Sequence, residues 1–328
     1  MLTHLHDYVD LWWLWKIYPV CTHICLSLFV FISGYCLALG KEIISIKRLL
    51  EFFKQKLVRI YSLYIPALVL FFILYKHPYP NKIVLFIDHL LGFQLLGANY
   101  IEPYYTIWFI GLIIPYYILY GLSSYLYNSF KPHFKSPSFV LVIFYIALGV
   151  SYLLLKFDRR IVAYFPAFIL GVYLSERGYF SNSTLKLRTF LYLTLFSLVL
   201  LVVFYCFHTF KINAYVYSVL QVAVAVTYVC MIALTFSLGI HFIALRSNPL
   251  PNFTEYLSYS SFAIYLFHRP ILSGIKWVLS YLQIENPYIL LAVYPLLVLP
   301  FIVFPISYFI QKSADGITKS LSNRAARQ

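Results

Sequence analysis

The chain has 328 residues, of which 62% are hydrophobic and only 11% charged, whereas a soluble domain carries about 25% charged residues. This composition excludes a soluble enzyme and a disordered segment, and describes a polytopic membrane protein. The formal net charge of +14, from 25 basic and 11 acidic residues, then reports basic loops at one membrane face, and no nucleic-acid partner is expected.

Residues 1–17 open with His4-Leu5-His6-Asp7. Two imidazoles beside a carboxylate suit a general base with its orienting partner. They also suit the ordinary polar end of a helix. A zinc site is disfavoured, because ligands two residues apart do not share a helix face and no acidic or cysteine partners match them. A first apolar span near 18–40 follows, long enough to cross a bilayer. It contains Ser33-Gly34-Tyr35, where glycine permits close helix contact. Its cysteines Cys21, Cys25 and Cys36, like Cys206 and Cys230 further on, form no CxxC pair and read as buried thiols.

The next loop is basic, with Lys41, Lys47, Arg48, Lys54, Lys56 and Arg59. Lys56 and Arg59 are three apart and share a helix face. Such a pair can hold phosphates, or serve only as the charge signal and headgroup contact of an inner membrane surface. A second span lies near 58–75. Residues 82–97 are apolar but interrupted by Asp88 and His89, and read as an interfacial or re-entrant helix. Trp108 opens a span near 106–127 as an interface anchor or a cavity wall. Spans near 138–155 and 160–175 flank Arg159-Arg160, a basic pair on the side opposite to the other basic loops. It implies either an anionic neighbour or snorkelling. Further spans fall near 187–209, 214–244, 257–282 and 287–311.

The span near 257–282 carries Ser261, Tyr265 and His268 at spacings of four and three, which put them on one helix face. Lipid does not tolerate such a face, so it is expected to look into protein or a wet cavity. As a whole the chain is expected to be all-α: one bundle of about nine to ten spans forming a single domain over 1–328, with residues 312–328 as a tail. The basic loops put 41–59 and that C-terminal tail in the cytoplasm. The span 18–40 must then run inward from outside. Residues 1–17 accordingly read as the remnant of a truncated first helix and an outer loop.

Taken in order, these segments resemble the acyltransferase-3 family of integral membrane acyltransferases. Met1-Leu2-Thr3-His4 is similar to the end of that family's first helix, which closes on a catalytic histidine. Leu28 to Tyr35 resembles its Leu-Phe-Phe-x-x-Ser-Gly-Phe phrase. Lys56-Leu57-Val58-Arg59-Ile60-Tyr61 resembles its Arg-x-x-Arg-Ile-x-Pro segment, with Lys in place of the first Arg. Ile107-Trp108-Phe109-Ile110 resembles its Trp-Phe motif, and Phe168-Ile169-Leu170-Gly171 its Phe-x-Leu-Gly turn. Ser261 to His268 resembles its Ser-x-x-Ile-Tyr-Leu-x-His phrase. Two features depart from the pattern. The family's arginine about eleven residues before the histidine has no counterpart here, and its glutamate after Trp-Phe is replaced by Gly111-Leu112-Ile113-Ile114-Pro115.

The resemblance implies transfer of an acyl group, most simply acetyl, from a cytoplasmic acyl-CoA to a carbohydrate or glycolipid hydroxyl at the cell membrane. His4 is then the candidate base, with His6 as its substitute and His268 as a further catalytic candidate. Lys56 and Arg59 are candidates for the donor phosphates. Ser33, Tyr35, Trp108, Ser261 and Tyr265 are candidates for lining the substrate path. No permanently bound cofactor and no metal is expected, and acetyl-CoA acts as a substrate. A different class of function also fits an aromatic-lined bundle, a carrier or flippase that moves a glycan or small solute without chemistry.

Overall fold

In the computed structural model, the described residues are 8–9, 11–75, 81–97, 106–131, 133–155, 157–178, 251–284 and 286–325, with isolated positions between 192 and 239. Among the described residues nine α-helices can be traced: α1 Trp12–Ala38, α2 Ile46–Leu74, α3 Lys82–Leu91, α4 Ile110–Ser129, α5 Pro137–Leu155, α6 Arg159–Glu176, α7 Pro251–Tyr281, α8 Pro287–Val293 and α9 Phe304–Ala325. A 3₁₀ turn, Thr106–Phe109, leads into α4, and a π-helical segment, Tyr294–Val303, joins α8 to α9. No strand occurs among the described residues.

Local chemistry fixes the helix ends. Ser45 caps α2 by accepting from the Arg48 N–H, and Asn81 caps α3 by accepting from Val84. Asn286 accepts from Tyr288 and Ile289 just before Pro287, a proline placed where its missing N–H costs nothing. At the end of α3, Gly92 adopts φ 72° and its N–H reaches the His89 carbonyl. That left-handed conformation needs glycine. The stretch read as interfacial is thus a ten-residue helix followed by a reversal, too short to cross a bilayer.

Four helical stretches are long and apolar enough to cross a membrane: Ile46–Leu74, Thr106–Ser129, Pro137–Leu155 and Pro287–Thr318. The expected nine to ten spans are not reached among the described residues. The expected spans 187–209 and 214–244 lie outside them save for isolated positions. Other helices dilute their apolar character with charge: α6 carries Arg159, Arg160 and Glu176, and α7 carries Glu255, His268, Arg269 and Lys276. Outward-facing Leu153, Leu154 and Leu155 are exposed, as a lipid-facing surface requires.

The tightest packing joins α1 to α6. A Cβ built on Gly171 would sit 2.1 Å from the Phe31 carbonyl oxygen and 2.9 Å from the Tyr35 nitrogen, and one on Gly34 would sit 2.3 Å from the Phe168 oxygen. Each obstacle is backbone, so the two helices touch main chain to main chain. Around this contact Phe31, Tyr116, Phe165 and Phe168 form the buried aromatic core, and the Tyr116 hydroxyl donates to the Ile161 carbonyl at 2.6 Å. The reading of the cysteines as buried is corrected for Cys25 and Cys36: both are free thiols but exposed, because they sit on the side of α1 turned away from α6.

Candidate active site

The polar side chains of α7 connect two clusters. One lies around its middle and later turns. His268 is buried, and its Nδ1 lies 2.8 Å from the Tyr265 carbonyl and 3.1 Å from that of Ile264. A ring nitrogen facing carbonyl oxygens must donate, so the proton belongs on Nδ1 and the basic lone pair on Nε2. One turn earlier, the Tyr265 hydroxyl donates to the Thr106 carbonyl, and the ring packs on Phe29 and Phe109 at centroid distances of 6.2 and 5.4 Å. Ser261 shares this stripe but is exposed, and its hydroxyl donates to Ser258 at 2.8 Å. The stripe leaves its cover two turns, roughly 10 Å, before His268. The fully buried serine on this helix is the neighbouring Ser260, which the sequence pattern did not single out.

The 3₁₀ turn that receives Tyr265 also carries Trp108. The Arg160 guanidinium lies over the indole ring, 4.2 Å from its centroid. Arg160 donates from Nε (2.9 Å) and the terminal nitrogen (2.5 Å) to the Asp158 carboxylate, which also caps α6 by accepting from the Arg160 N–H. The Asp158 N–H in turn donates to Leu95 at 3.0 Å. Nearby, Gln94 Nε2 donates to the Ile107 carbonyl at 3.1 Å, and its carboxamide fills the space above Gly111 that any side chain there would need. The Tyr64 hydroxyl donates to His89 at 2.8 Å. Gln94 Oε1, Thr106 Oγ1 and Asp88 Oδ2 are buried and make no hydrogen bond among the described residues. Burial also pushes the Asp88 carboxyl above the usual carboxylate range.

Sequence reasoning reads Arg159-Arg160 as a pair with an anionic neighbour or as snorkelling. For Arg160 the structure supplies the anionic neighbour, the Asp158 carboxylate, and adds Trp108 as a second partner. Asp158 had one legible signal, an acidic residue just before an amphipathic run, the mark of a helix cap. Gln94 had none.

His4 and His6 lie outside the described residues. The chain enters description at Tyr8, whose hydroxyl reaches the Arg269 carbonyl and the Ser273 hydroxyl, each at 3.3 Å. Tyr75 bonds the same Ser273 at 2.6 Å. Val9, Leu11 and Leu14 bury against Leu272, Leu290, Tyr294 and Val298. The amino-terminal segment therefore docks one turn beyond His268.

The second cluster lies at the opposite end of α7. Lys56 is half-buried, its Nζ 5.8 Å from the Phe52 centroid, while Arg59 is exposed. The two charges act on each other and on Cys36. Ser33 and Tyr35 are both half-buried, and the Tyr35 ring lies 6.5 Å from that of Phe31. From α7, Tyr259 lies within the field of Arg59 and donates to Asp315 of α9 at 2.6 Å. The candidates thus divide: Ser33, Tyr35, Lys56 and Arg59 gather at one end, Trp108, Tyr265 and His268 at the other, with Ser261 between them on α7.

A family model described as an acyltransferase domain matches residues 2–310, a stretch that contains both clusters and every candidate residue. No curated protein and no solved structure matches the chain.

Proposed function

The chain belongs to the acyltransferase-3 family and is an acyltransferase of the membrane; on that premise we propose that it carries an acyl group, acetyl in the simplest case, from acyl-CoA to a hydroxyl of a carbohydrate or glycolipid. The observation that carries this reading is the docking of Tyr8 beside Arg269 and Ser273. His6 is two residues and His4 four residues from Tyr8, so chain length alone keeps their Cα atoms within about 7 and 14 Å of its own. Tyr8, which follows both histidines in the chain, docks near the part of α7 that holds His268.

In the step we propose, neutral His4 removes the proton as the acceptor oxygen attacks the thioester carbonyl. The new C–O ester bond forms, the C–S bond breaks, and the proton passes from the imidazolium to the departing thiolate. An alcohol is a poor nucleophile at neutral pH, so this base supplies a large part of the rate. His268, with its tautomer set by its own helix carbonyls, orients the acceptor hydroxyl through Nε2. Lys56 and Arg59 hold the donor phosphates at the far end of α7. On the orientation that the basic loops imply, that end faces the cytoplasm.

Arg59→Ala is expected to raise the KM for acetyl-CoA about tenfold, as loss of a charge-assisted phosphate contact does, with a much smaller change in kcat. Steady-state kinetics with varied donor checks it; an unchanged donor KM would remove Arg59 from the donor site. The whole reading is tested by incubating purified protein with acetyl-CoA labelled in its acetyl group and a mixture of oligosaccharides. Label in a base-labile ester on sugar supports it. Label that stays on the thioester, while the protein is folded, contradicts it.

A further inference from the structure

Trp108 is held in an unusual way. One face of its ring is covered by the Arg160 guanidinium at 4.2 Å, and its other ring contact is an edge-on approach of Phe109 at 6.0 Å. Arg160 is itself immobilised, because two of its nitrogens donate to the Asp158 carboxylate. That carboxylate is anchored in turn by the Arg160 N–H, and the Asp158 backbone by its own N–H to Leu95. The indole is thus pressed from behind by a planar cation that cannot rotate. It remains only partly buried.

The turn of Trp108 and its neighbour Gln94 hold two buried oxygens that take no hydrogen from the described residues. Thr106 Oγ1 is in the same 3₁₀ turn, and Gln94 Oε1 belongs to a carboxamide fastened to the Ile107 carbonyl. Both residues are almost fully enclosed, Gln94 at 0% and Thr106 at 2% exposure. Buried polar atoms without partners are rare in native structures and call for a ligand or solvent. Enclosed as they are, these two mark a turn built with polar atoms in its interior. The same turn is tied to α7, the helix of His268, by Tyr265.

An aromatic face that carries negative charge density has a natural complement. A pyranose ring presents polarised C–H groups on one face and hydroxyl donors around its rim. We propose that Trp108 is the platform on which a sugar ring of the acceptor stacks, with Arg160 and Asp158 as positioning residues that hold it and Gln94 and Thr106 bracing the turn that carries it. The proposal rests on the carbohydrate-acceptor reading above and specifies how the acceptor is held.

The test compares a ring with an open chain carrying the same groups. Methyl glucoside and glucitol are offered separately to the full chain in nanodiscs, with labelled acetyl-CoA as donor. In parallel, saturation-transfer NMR reads contact of each compound's C–H groups with protein. The wild type is expected to prefer the ring, and Trp108→Leu to lower the ratio of kcat/KM, ring over open chain, about tenfold, the range that one apolar contact supplies. Trp108→Phe is expected to keep most of that preference. Arg160→Gln is expected to lose several-fold of it, and Arg160→Lys, which retains the charge but not the fork, an intermediate amount.

A purely structural role would slow both compounds alike and leave the ratio unchanged; that result overturns the proposal. Ring-specific NMR contact that disappears in Trp108→Leu, with no label transferred by the wild type, would keep the platform and remove the transferase reading. Absence of both contact and transfer for the ring overturns the platform as well.

Discussion

His4→Ala is expected to lower acyl transfer by at least two orders of magnitude, while the protein still inserts and melts as the wild type does. The size follows from the chemistry asked of the residue. Removing a proton from an alcohol during attack is worth roughly 10²- to 10⁴-fold when a positioned imidazole does it. His6 is its alternative among the candidates. His268 donates through Nδ1 to the carbonyls of Ile264 and Tyr265, and its Nε2 is assigned to orienting the acceptor. His23 is engaged with Tyr164 at 2.7 Å, between α1 and α6. His6→Ala in parallel decides which amino-terminal imidazole works. Initial rates with saturating acetyl-CoA check the prediction; full turnover in both variants would leave the base unassigned to this segment.

Gly171→Val prevents the bundle from assembling. The added carbons meet main-chain atoms: a Cβ alone lies 2.1 Å from the Phe31 oxygen, well inside contact distance. A flexible side chain can swing aside, but a helix backbone can only translate. Overpacking of that kind costs about 1–3 kcal/mol even where neighbours relax, and here α1 and α6 must separate along their shared length. Ser33 and Tyr35 move with α1, so any surviving protein also loses the donor end of the site. Gly34→Val is expected to do the same through Phe168. Gly149→Ala is the control, because a Cβ added there meets no atom within 4 Å and alanine favours helix. Thermal melting in detergent separates them: a large loss for Gly171 and none for Gly149. Equal melting temperatures would refute the close contact.

The sequence made some of this legible, and the reasons are physical. A polar residue inside an apolar span stands out, so the stripe Ser261, Tyr265 and His268 could be seen and its helix placed. Asp88 and His89 in the same way marked 82–97 as no ordinary span, and the reversal at Gly92 accords with that. Glycine in the Ser33-Gly34-Tyr35 phrase spoke for a close helix contact, which α1 and α6 make.

What stayed hidden is which faces meet. A helix apolar on every side, such as α5, has no contrast from which its rotation can be read, and α1 shares that uniformity, so the exposure of Cys25 and Cys36 is not legible in its pattern. The stacking of Arg160 on Trp108 joins residues about fifty apart, and no spacing rule reaches across such a gap. Gln94 fills a space that exists only because Gly111 has no side chain. The nine to ten spans expected from hydropathy exceed the four long apolar helices among the described residues. Part of that difference is α7, which a run of apolar residues marks as a span although it carries the polar side chains of the site.

The most direct measurement uses sealed proteoliposomes, with labelled acetyl-CoA on the side of Arg59 and an oligosaccharide acceptor enclosed on the other. Label is expected to appear as an ester on the enclosed sugar with the wild type and to fall at least a hundredfold with His4→Ala, the scale of a lost general base. Sugar that crosses the membrane unacylated, or label that accumulates equally with both proteins, would contradict the account.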